Sequence, residues 1–466
     1  MKGHIQQQVK MPRRLNPPGR VTITITVFLL IGPYGIYRIH QSLLQIRLST
    51  EPQIKVQPTV PPQCAAGKLV SQGEKMSLVS VNTTKTLLVS AYQEHRRGNK
   101  EVRVIAVVQR SEAVDYHCLL CCQDQLHISN GVCSIHTNHF DFAYGTADIM
   151  CPLPSACETV SHITVISAAA KPEDKLDKEF IEVKNQKPES DSFPHNFTIC
   201  LSTMFDFTNA LQLVQGLEML QLLGVDRVVI YKTSCSPEVQ LILDYYTHKG
   251  LVEVISWPVS RFLKVSRGWL PEVDPGDIHY FGQIPALNDC VYRYMYLSKY
   301  VALHDIDELI LPQSVDSWLE LLPLLETKYG ADLCYMFENN VFPNTMQPHS
   351  KTLPSLWPNV SGVDILAHLY QEPVIKEIFN HNFKIIVNPR VVYTPTVHGL
   401  LASEKGCAWV DRNMARMYHT RAPKQPKLSP DQLIYDDRLM SYSARLIPAV
   451  STVLSKSGLL PKDSKQ

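Results

Sequence analysis

The chain has 466 residues, 45 lysines and arginines against 44 aspartates and glutamates, and 45% hydrophobic residues. These figures exclude a disordered, collagen-like or wholly membrane-embedded chain and leave room for two or three domains. A formal charge of +1 gives no support to nucleic-acid binding. The charge is unevenly placed, because the first twenty residues hold Lys2, Lys10, Arg13, Arg14 and Arg20 and no acid, leaving 40 bases against 44 acids in the remainder.

Directly after Arg20 the run VTITITVFLLIGPYGIY, residues 21–37, carries no charge. As a helix it spans roughly 25 Å, the short end of what crosses a bilayer and suited to a thin membrane of the early secretory pathway. The basic flank on its amino side predicts a cytosolic tail (1–20), a signal-anchor transmembrane helix (21–37) and a lumenal body. A cleaved signal peptide is the competing reading, but no small-x-small site follows the run. A buried strand is the other, since Val, Ile and Thr alternate over 21–26. The twelve cysteines then matter. Cys118, Cys121, Cys122, Cys133, Cys151 and Cys157 crowd into forty residues, which in an oxidising lumen predicts disulfides. Cys118 and Cys121 with His136 and His139 keep a zinc site open as the alternative. Sequons at Asn82, Asn196 and Asn359 fit the same compartment.

Residues 38–75, rich in Gln, Pro, Ser and Thr, read as an extended stem. From 76 to 170, alternating apolar runs and clustered cysteines predict a small β-rich domain, and the charged stretch 171–195 reads as a linker. The period then changes. FTICLST (197–203) and DRVVIYKTS (226–234) read as strands around a helix at 208–224, and LVEVISWPV (251–259) follows a helix at 236–250 with Ser236 as N-cap and Pro237 behind it. This alternation predicts an α/β domain, a doubly wound, mostly parallel sheet over 196–422, with 423–466 as a C-terminal extension. Ligands of such sheets bind beyond the carboxyl ends of the strands.

A helix around 285–298 leads into KYVALHDIDELILP, where His304, Asp305, Asp307 and Glu308 fall at the end of the YVAL strand. In an extended D-x-D both carboxylates point the same way, and two hard oxygen ligands on one edge suit Mn2+ or Mg2+ bridging to nucleotide phosphates. With 23 aspartates, about one D-x-D is expected by chance, so the strand-end position and the lumenal address carry the reading rather than the triplet.

The string ALNDCVYRYMYLSKYVALHDIDELILP, with GVDRVVIYKTS before it and FKIIVNPRVVYTPTVHG and MYHTR after it, resembles glycosyltransferase family 92 over about residues 196–422. The resemblance implies a Golgi type II enzyme of GT-A fold that transfers galactose from UDP-galactose with inversion, in β-1,4 linkage, to a galactose- or fucose-terminated glycan on a glycoprotein or glycolipid; a homo-oligomer is left open. It implies Asp305 and Asp307 as the metal pair, with Asp305 also reaching the ribose, and His398 as the histidine completing the metal site, or else as a packed imidazole. His419 and Arg421 match its His-aromatic-Arg block, with Thr420 in place of the aromatic residue, and Arg421 is expected at the diphosphate. Asn288, Asp289, Arg293 and Lys384 are candidate UDP-sugar contacts or simple braces of their elements.

Inversion requires a general base for the acceptor hydroxyl, and Glu308, Glu338, Glu377 and Asp411 are the candidates. Trp357 and Trp409 are candidates to stack on an acceptor sugar. A catalytically silent lumenal glycan-binding or scaffold protein is the alternative from another class, and a two-metal phosphodiesterase would need more ligands than this region supplies.

Overall fold

The computed structural model describes residues 69–70, 78–96, 98–123, 125–170, 179–186, 192–346, 355–375 and 382–460. The expected signal anchor at 21–37, most of the stem and Glu377 lie outside them. No helix among the described residues is long and apolar enough to cross a membrane.

The first domain is built from β1 (Leu69–Val70), β2 (Val79–Ser80), β3 (Leu87–Glu94), β4 (Glu101–Gln109), β5 (Tyr116–Cys122), β6 (Gln125–Ile135), β7 (Tyr144–Pro152), β8 (Val160–Ser167) and β9 (Phe180–Lys184). Seven of them pair in a closed ring, β3-β4-β7-β6-β5-β8-β9 and back to β3. Closure leaves no open edge in the ring, and its interior is filled by Leu88, Val104, Leu120, Ile149 and Ile163. Disulfides Cys118–Cys151 and Cys122–Cys157 bind β5 to β7 and to the loop behind it, which takes Cys118 away from any zinc site. The expected linker is corrected here, since Phe180–Lys184 is the strand that closes the ring. Phe180, Ile181 and Val183 are buried in it, an apolar signal that the surrounding charges hid.

The second domain comprises β10 (His195–Met204), α1 (Ala210–Leu222), β11 (Arg227–Lys232), α2 (Pro237–His248), β12 (Val252–Ser256), α3 (Gln283–Arg293), β13 (Ser298–Leu303), β14 (Glu308–Pro312), α4 (Trp318–Tyr329), β15 (Cys334–Pro343), β16 (Tyr370–Gln371), β17 (Phe383–Val387), β18 (Val392–Thr396), β19 (Gly399–Ser403), β20 (Cys407–Trp409), β21 (Ala415–Arg421), β22 (Ile434–Tyr435) and α5 (Ser443–Lys456). Ser236 caps its helix as expected, accepting from Val239 N, and Asn209 caps the preceding one, accepting from Gln212 N. The main sheet runs β12-β11-β10-β13-β17-β15-β21-β14. Its first four strands are parallel, as are β15 and β21, but β13–β17, β17–β15 and β21–β14 are antiparallel, so the sheet is mixed, with four of the seven neighbouring pairs in this order parallel. The reason lies at the D-x-D. Only residues 304–307 separate β13 from β14, too few for a parallel crossover, and the chain leaves mid-sheet for the far edge.

One face of the sheet is covered by α1, α2, α4 and α5 in a single apolar core. The expected C-terminal extension is therefore part of this domain, with Leu446, Val450, Val453 and Leu454 buried there. The other face is covered by α3 and by the wall of the barrel, through Leu87, Val89, Tyr92, Ile105 and Val107. Disulfide Cys200–Cys290 ties β10 to α3, and Cys334–Cys407 ties β15 to β20. Gly282 precedes α3 at φ 68°, where a Cβ would also meet the Trp257 ring at 3.4 Å.

At the junction of barrel, α3 and sheet lies Asp289, wholly buried. Its carboxylate accepts from Tyr92 Oη of the barrel at 2.6 Å, from Tyr231 Oη of β11, and from Arg293 Nη2 at 2.9 Å. Burial alone would raise this carboxyl, but Arg293 and the neighbouring hydroxyls of Ser90, Tyr231 and Tyr92 outweigh it and hold it below the usual range. Its stabilisation is thus complete above an unfolded value of about 4 and is lost as pH falls through the depressed native value. Asp289→Ala, which strands two phenols and a buried guanidinium, should cost about 3–5 kcal/mol in denaturant unfolding. Asp289→Asn should flatten the acid limb of the stability–pH curve, and an unchanged acid limb would contradict the assignment.

Candidate active site

Beyond the carboxyl ends of β10 and β13 opens a cavity of about 420 Å³. It is lined by Ser202, Thr203 and Phe205 from β10 and its exit, Asn209 and Gln212 at the amino end of α1, Trp269, Tyr280 and Gln283, the D-x-D residues Asp305 and Asp307, and His419 and Arg421 of β21. A larger cavity of about 1450 Å³ lies at the amino ends of β11 and β12 and is lined by Lys184, Arg227 and Arg293. Size favours that one, chemistry the first, since the smaller holds the paired acids at the strand ends where α/β sheets bind ligands.

The acids are braced from beneath. Lys384 of β17, almost fully buried, places Nζ 2.9 Å from Asp305 Oδ2 and 3.3 Å from Glu308 Oε2. Glu308 also accepts from the Asp305 amide at 2.8 Å, closing the turn between β13 and β14. Antiparallel pairing of β14 with β21 sets Glu308 opposite His419, whose Nε2 lies 3.2 Å from Asp307 Oδ2 and whose Nδ1 lies 3.4 Å from Glu308 Oε1. Burial would raise Glu308, but Lys384 and His419 prevail and keep it below its usual range. Burial likewise opposes the charge on Lys384, yet Asp305 and Glu308 hold its pKa above the ordinary lysine value. Tyr280 is pushed up to about 12 by burial and by the two D-x-D carboxylates. What remains open is the outward side of the pair, with the Asp305 and Asp307 side chains 40% and 32% exposed.

Four further lining atoms are buried without a hydrogen-bond partner: Ser202 Oγ, Thr203 Oγ1, Gln283 Oε1 and Arg421 Nε. Unsatisfied buried polar atoms are costly in a folded chain and acceptable where a ligand completes them. The amino end of α1 faces the same space and favours negative charge there.

The structure sorts the expected site residues sharply. Asp305, Asp307 and Arg421 come together on the cavity, and Lys384 stands behind them as a counterion. His398 does not join the pair; its Nδ1 lies 3.2 Å from the Phe383 carbonyl and its ring stacks on Trp269. The histidine beside Asp307 is His419. Asn288 bonds the Ile284 and Pro395 carbonyls, and Asp289 and Arg293 form the buried junction, so all three are braces rather than lining. Of the expected bases, Glu308 is the buried partner of Lys384, Glu338 is paired with Arg412 and off the cavity, and Asp411 is a surface residue bonded to Lys328 and the Asn413 amide. Trp357 is buried in the core with its N–H on Ser451, and Trp409 packs edge-on against Phe383. Trp269, Tyr280, Gln283, Ser202 and Thr203 had no signal in the sequence beyond their places near strand or helix ends.

The donor set suits a hard divalent ion in its chemistry: two partly open carboxylates and an imidazole on one wall. Among the described residues no three His, Cys, Asp or Glu side chains are grouped tightly enough to enclose a metal on their own. Such an ion would take its remaining ligands from water and diphosphate oxygens, as Mg2+ and its like commonly do in nucleotide sites.

Comparison with known proteins agrees with the motif blocks. The family model described as Glycosyltransferase family 92 matches residues 195–451, from β10 into α5. A β-1,4-galactosyltransferase of Caenorhabditis elegans is 23% identical over 244 residues, 48% of this chain and 50% of that protein. A glycosyltransferase family 92 protein of the same organism is 26% identical over 128 residues, 27% of this chain and 25% of that one. The chain thus matches about half the length of the first relative and a quarter of the second. Among solved structures, glucosyl-3-phosphoglycerate synthase from Mycobacterium tuberculosis, in complex with Mn2+, UDP and glucosyl-3-phosphoglycerate, aligns with 58% of this chain and 82% of its own at 13% identity, but at a TM-score of 0.23 that carries no argument. With its D-x-D cavity and α/β sheet inside a family match that spans more than half of its length, the chain belongs to glycosyltransferase family 92.

Proposed function

We propose that the chain transfers galactose from UDP-galactose, with inversion and in β-1,4 linkage, to a galactose- or fucose-terminated glycan. The observation that carries the donor is the cavity wall itself, where orphaned Ser202, Thr203, Gln283 and Arg421 atoms surround two open carboxylates. Galactose is supported by the named activity of the 23% identical relative, and the acceptor by the motif resemblance alone. Asp305, Asp307 and His419 would hold Mn2+ or Mg2+, which when bound supplies positive charge to a departing diphosphate. Arg421 adds a fixed cation on the same wall, able to pair with phosphate oxygens. Lys384 lies behind Asp305 and Glu308 and holds Glu308 below its usual range, so that the open face of Asp305 is presented to the cavity with a buried cation at its back.

We also place the catalytic domain in the Golgi lumen behind an amino-terminal anchor. This rests on the disulfides in both domains and on Asn82, Asn196 and Asn359, all exposed as glycan attachment requires.

Two sets of variants test this reading on the secreted portion, residues 45–466, assayed for UDP release with Mn2+. Asp307→Asn should lower turnover by on the order of a thousandfold with its unfolding midpoint unchanged, and chelation should silence the wild type; Mn2+-independent turnover, or an active Asp307→Asn, defeats the metal assignment. Glu308→Gln leaves Lys384 with Asp305 alone and His419 with Asp307 alone, so it should show a loss of about 1–3 kcal/mol in unfolding as well as lost turnover. Asp411→Asn should retain turnover within about twofold, as expected for an exposed turn residue; inactivity in a stable Asp411→Asn protein would return it to the list of bases.

A further inference from the structure

Trp269 lies on the connection between β12 and α3, at the same cavity as Asp305 and Asp307, and is 38% exposed. No described residue accepts a hydrogen bond from its indole N–H. A large apolar ring left open beside a polar cavity is the surface on which a pyranose lays its C–H face, while its hydroxyls reach the polar wall.

The ring is held in place by others. It is nearly parallel to His398, with centroids 5.6 Å apart and 15° between planes, and meets His279 edge-on at 4.8 Å. Phe140 meets it edge-on at 5.3 Å and stacks on His279 at 4.2 Å. Phe140 comes from the barrel, on the loop between β6 and β7. That loop is fastened to the catalytic domain by Asn138 Nδ2 donating to Thr396 Oγ1 at 2.7 Å and by the Tyr144 amide donating to the Asp277 carbonyl at 2.9 Å. Both ring nitrogens of His279 are buried without partners, and burial with His398 nearby lowers its pKa to about 3, so it sits in the cluster as a neutral flat ring.

We propose that Trp269 is the platform for the acceptor sugar, a β-galactoside laid face-on against the indole, and that the barrel sets the platform's orientation through Phe140. This rests on the glycosyl-transfer reading above. The donor sugar is tethered to a diphosphate at Asp305, Asp307 and Arg421, whereas an acceptor on another molecule enters from solvent, where Trp269 is open. A galactoside suits the ring because its axial O4 gathers the C3, C4 and C5 hydrogens on one face. Phe140 and Trp269 then make the barrel part of the acceptor site rather than a separate binding module.

The test is tryptophan fluorescence of the full chain, saturated with UDP and Mn2+ and titrated with methyl β-D-galactopyranoside. A saturable change is expected that is lost in Trp269→Phe and displaced about tenfold to higher concentration in Phe140→Ala and Phe140→Leu, with UDP affinity by calorimetry within about twofold of wild type in all three. Phe140→Leu keeps the bulk without the ring and guards against a folding failure. Repeating the titration with the donor subsite filled by UDP-2-fluoro-galactose should preserve the response. The proposal is overturned if Trp269→Phe keeps the change, if UDP-bound wild type shows none, or if the fluoro donor abolishes it, which would give the ring to the donor sugar. Failure to bind UDP at all overturns the donor reading, and this inference with it, before any sugar is added, so the two failures are distinguishable.

Discussion

A single carboxylate with no access to solvent connects the parts of this molecule. Asp289 receives a barrel phenol, a sheet phenol and a guanidinium of its own helix, and neither the carboxylate nor the two phenols have water to fall back on. Each hydrogen bond is strong because the surroundings are dry, and for the same reason the absence of any partner would be severe. The position of α3 follows from this contact. Its first residue, Gln283, lines the catalytic cavity with Oε1 unsatisfied while its Nε2 donates to the Ser202 carbonyl. The junction thus fixes the register between barrel wall and donor cavity from a distance of two helical turns.

The same logic governs the acids. Four charged or chargeable groups, Asp305, Asp307, Glu308 and His419, crowd into one turn and its neighbouring strand, and like charges so close would ordinarily drive one carboxyl to protonate. For Glu308, Lys384 opposes this from the interior side with His419 beside it. Two acids share its ammonium, the imidazole is shared by two, and the unshared faces of Asp305 and Asp307 point outward. The result is a pair of open carboxylates poised to bind positive charge, with a buried ammonium behind them.

Much of the fold could be read along the chain because its signals are local. The helix at 237–248 announces itself by Ser236 and Pro237, and the D-x-D by an apolar strand that ends in acids. What escaped the reading depends on pairing at long range. Phe180–Lys184 is apolar at three of five positions, but only its partners β3 and β8 make it a barrel strand. His419 meets Asp307 through the β14–β21 register, which no spacing between residues 307 and 419 encodes, whereas the family motif alone points to His398. Glu308 illustrates a related point: whether a glutamate is open or already paired, as it is with Lys384, is decided by a strand seventy-six positions away. Trp269 shows the opposite case, a functional surface recognisable only because it stayed exposed.

The ring of seven strands has a consequence in time. Its last member, Phe180–Lys184, comes off the ribosome before His195, where the first strand of the catalytic sheet begins. A chain made from its amino end can therefore close the barrel, and seal Cys118 to Cys151 and Cys122 to Cys157, while the sheet is still unmade. The later domain then folds against a finished wall that already presents Tyr92 and Phe140. The amino-terminal domain is in this sense a template carried in the same chain, and the order of synthesis is the order in which the active site acquires its supports.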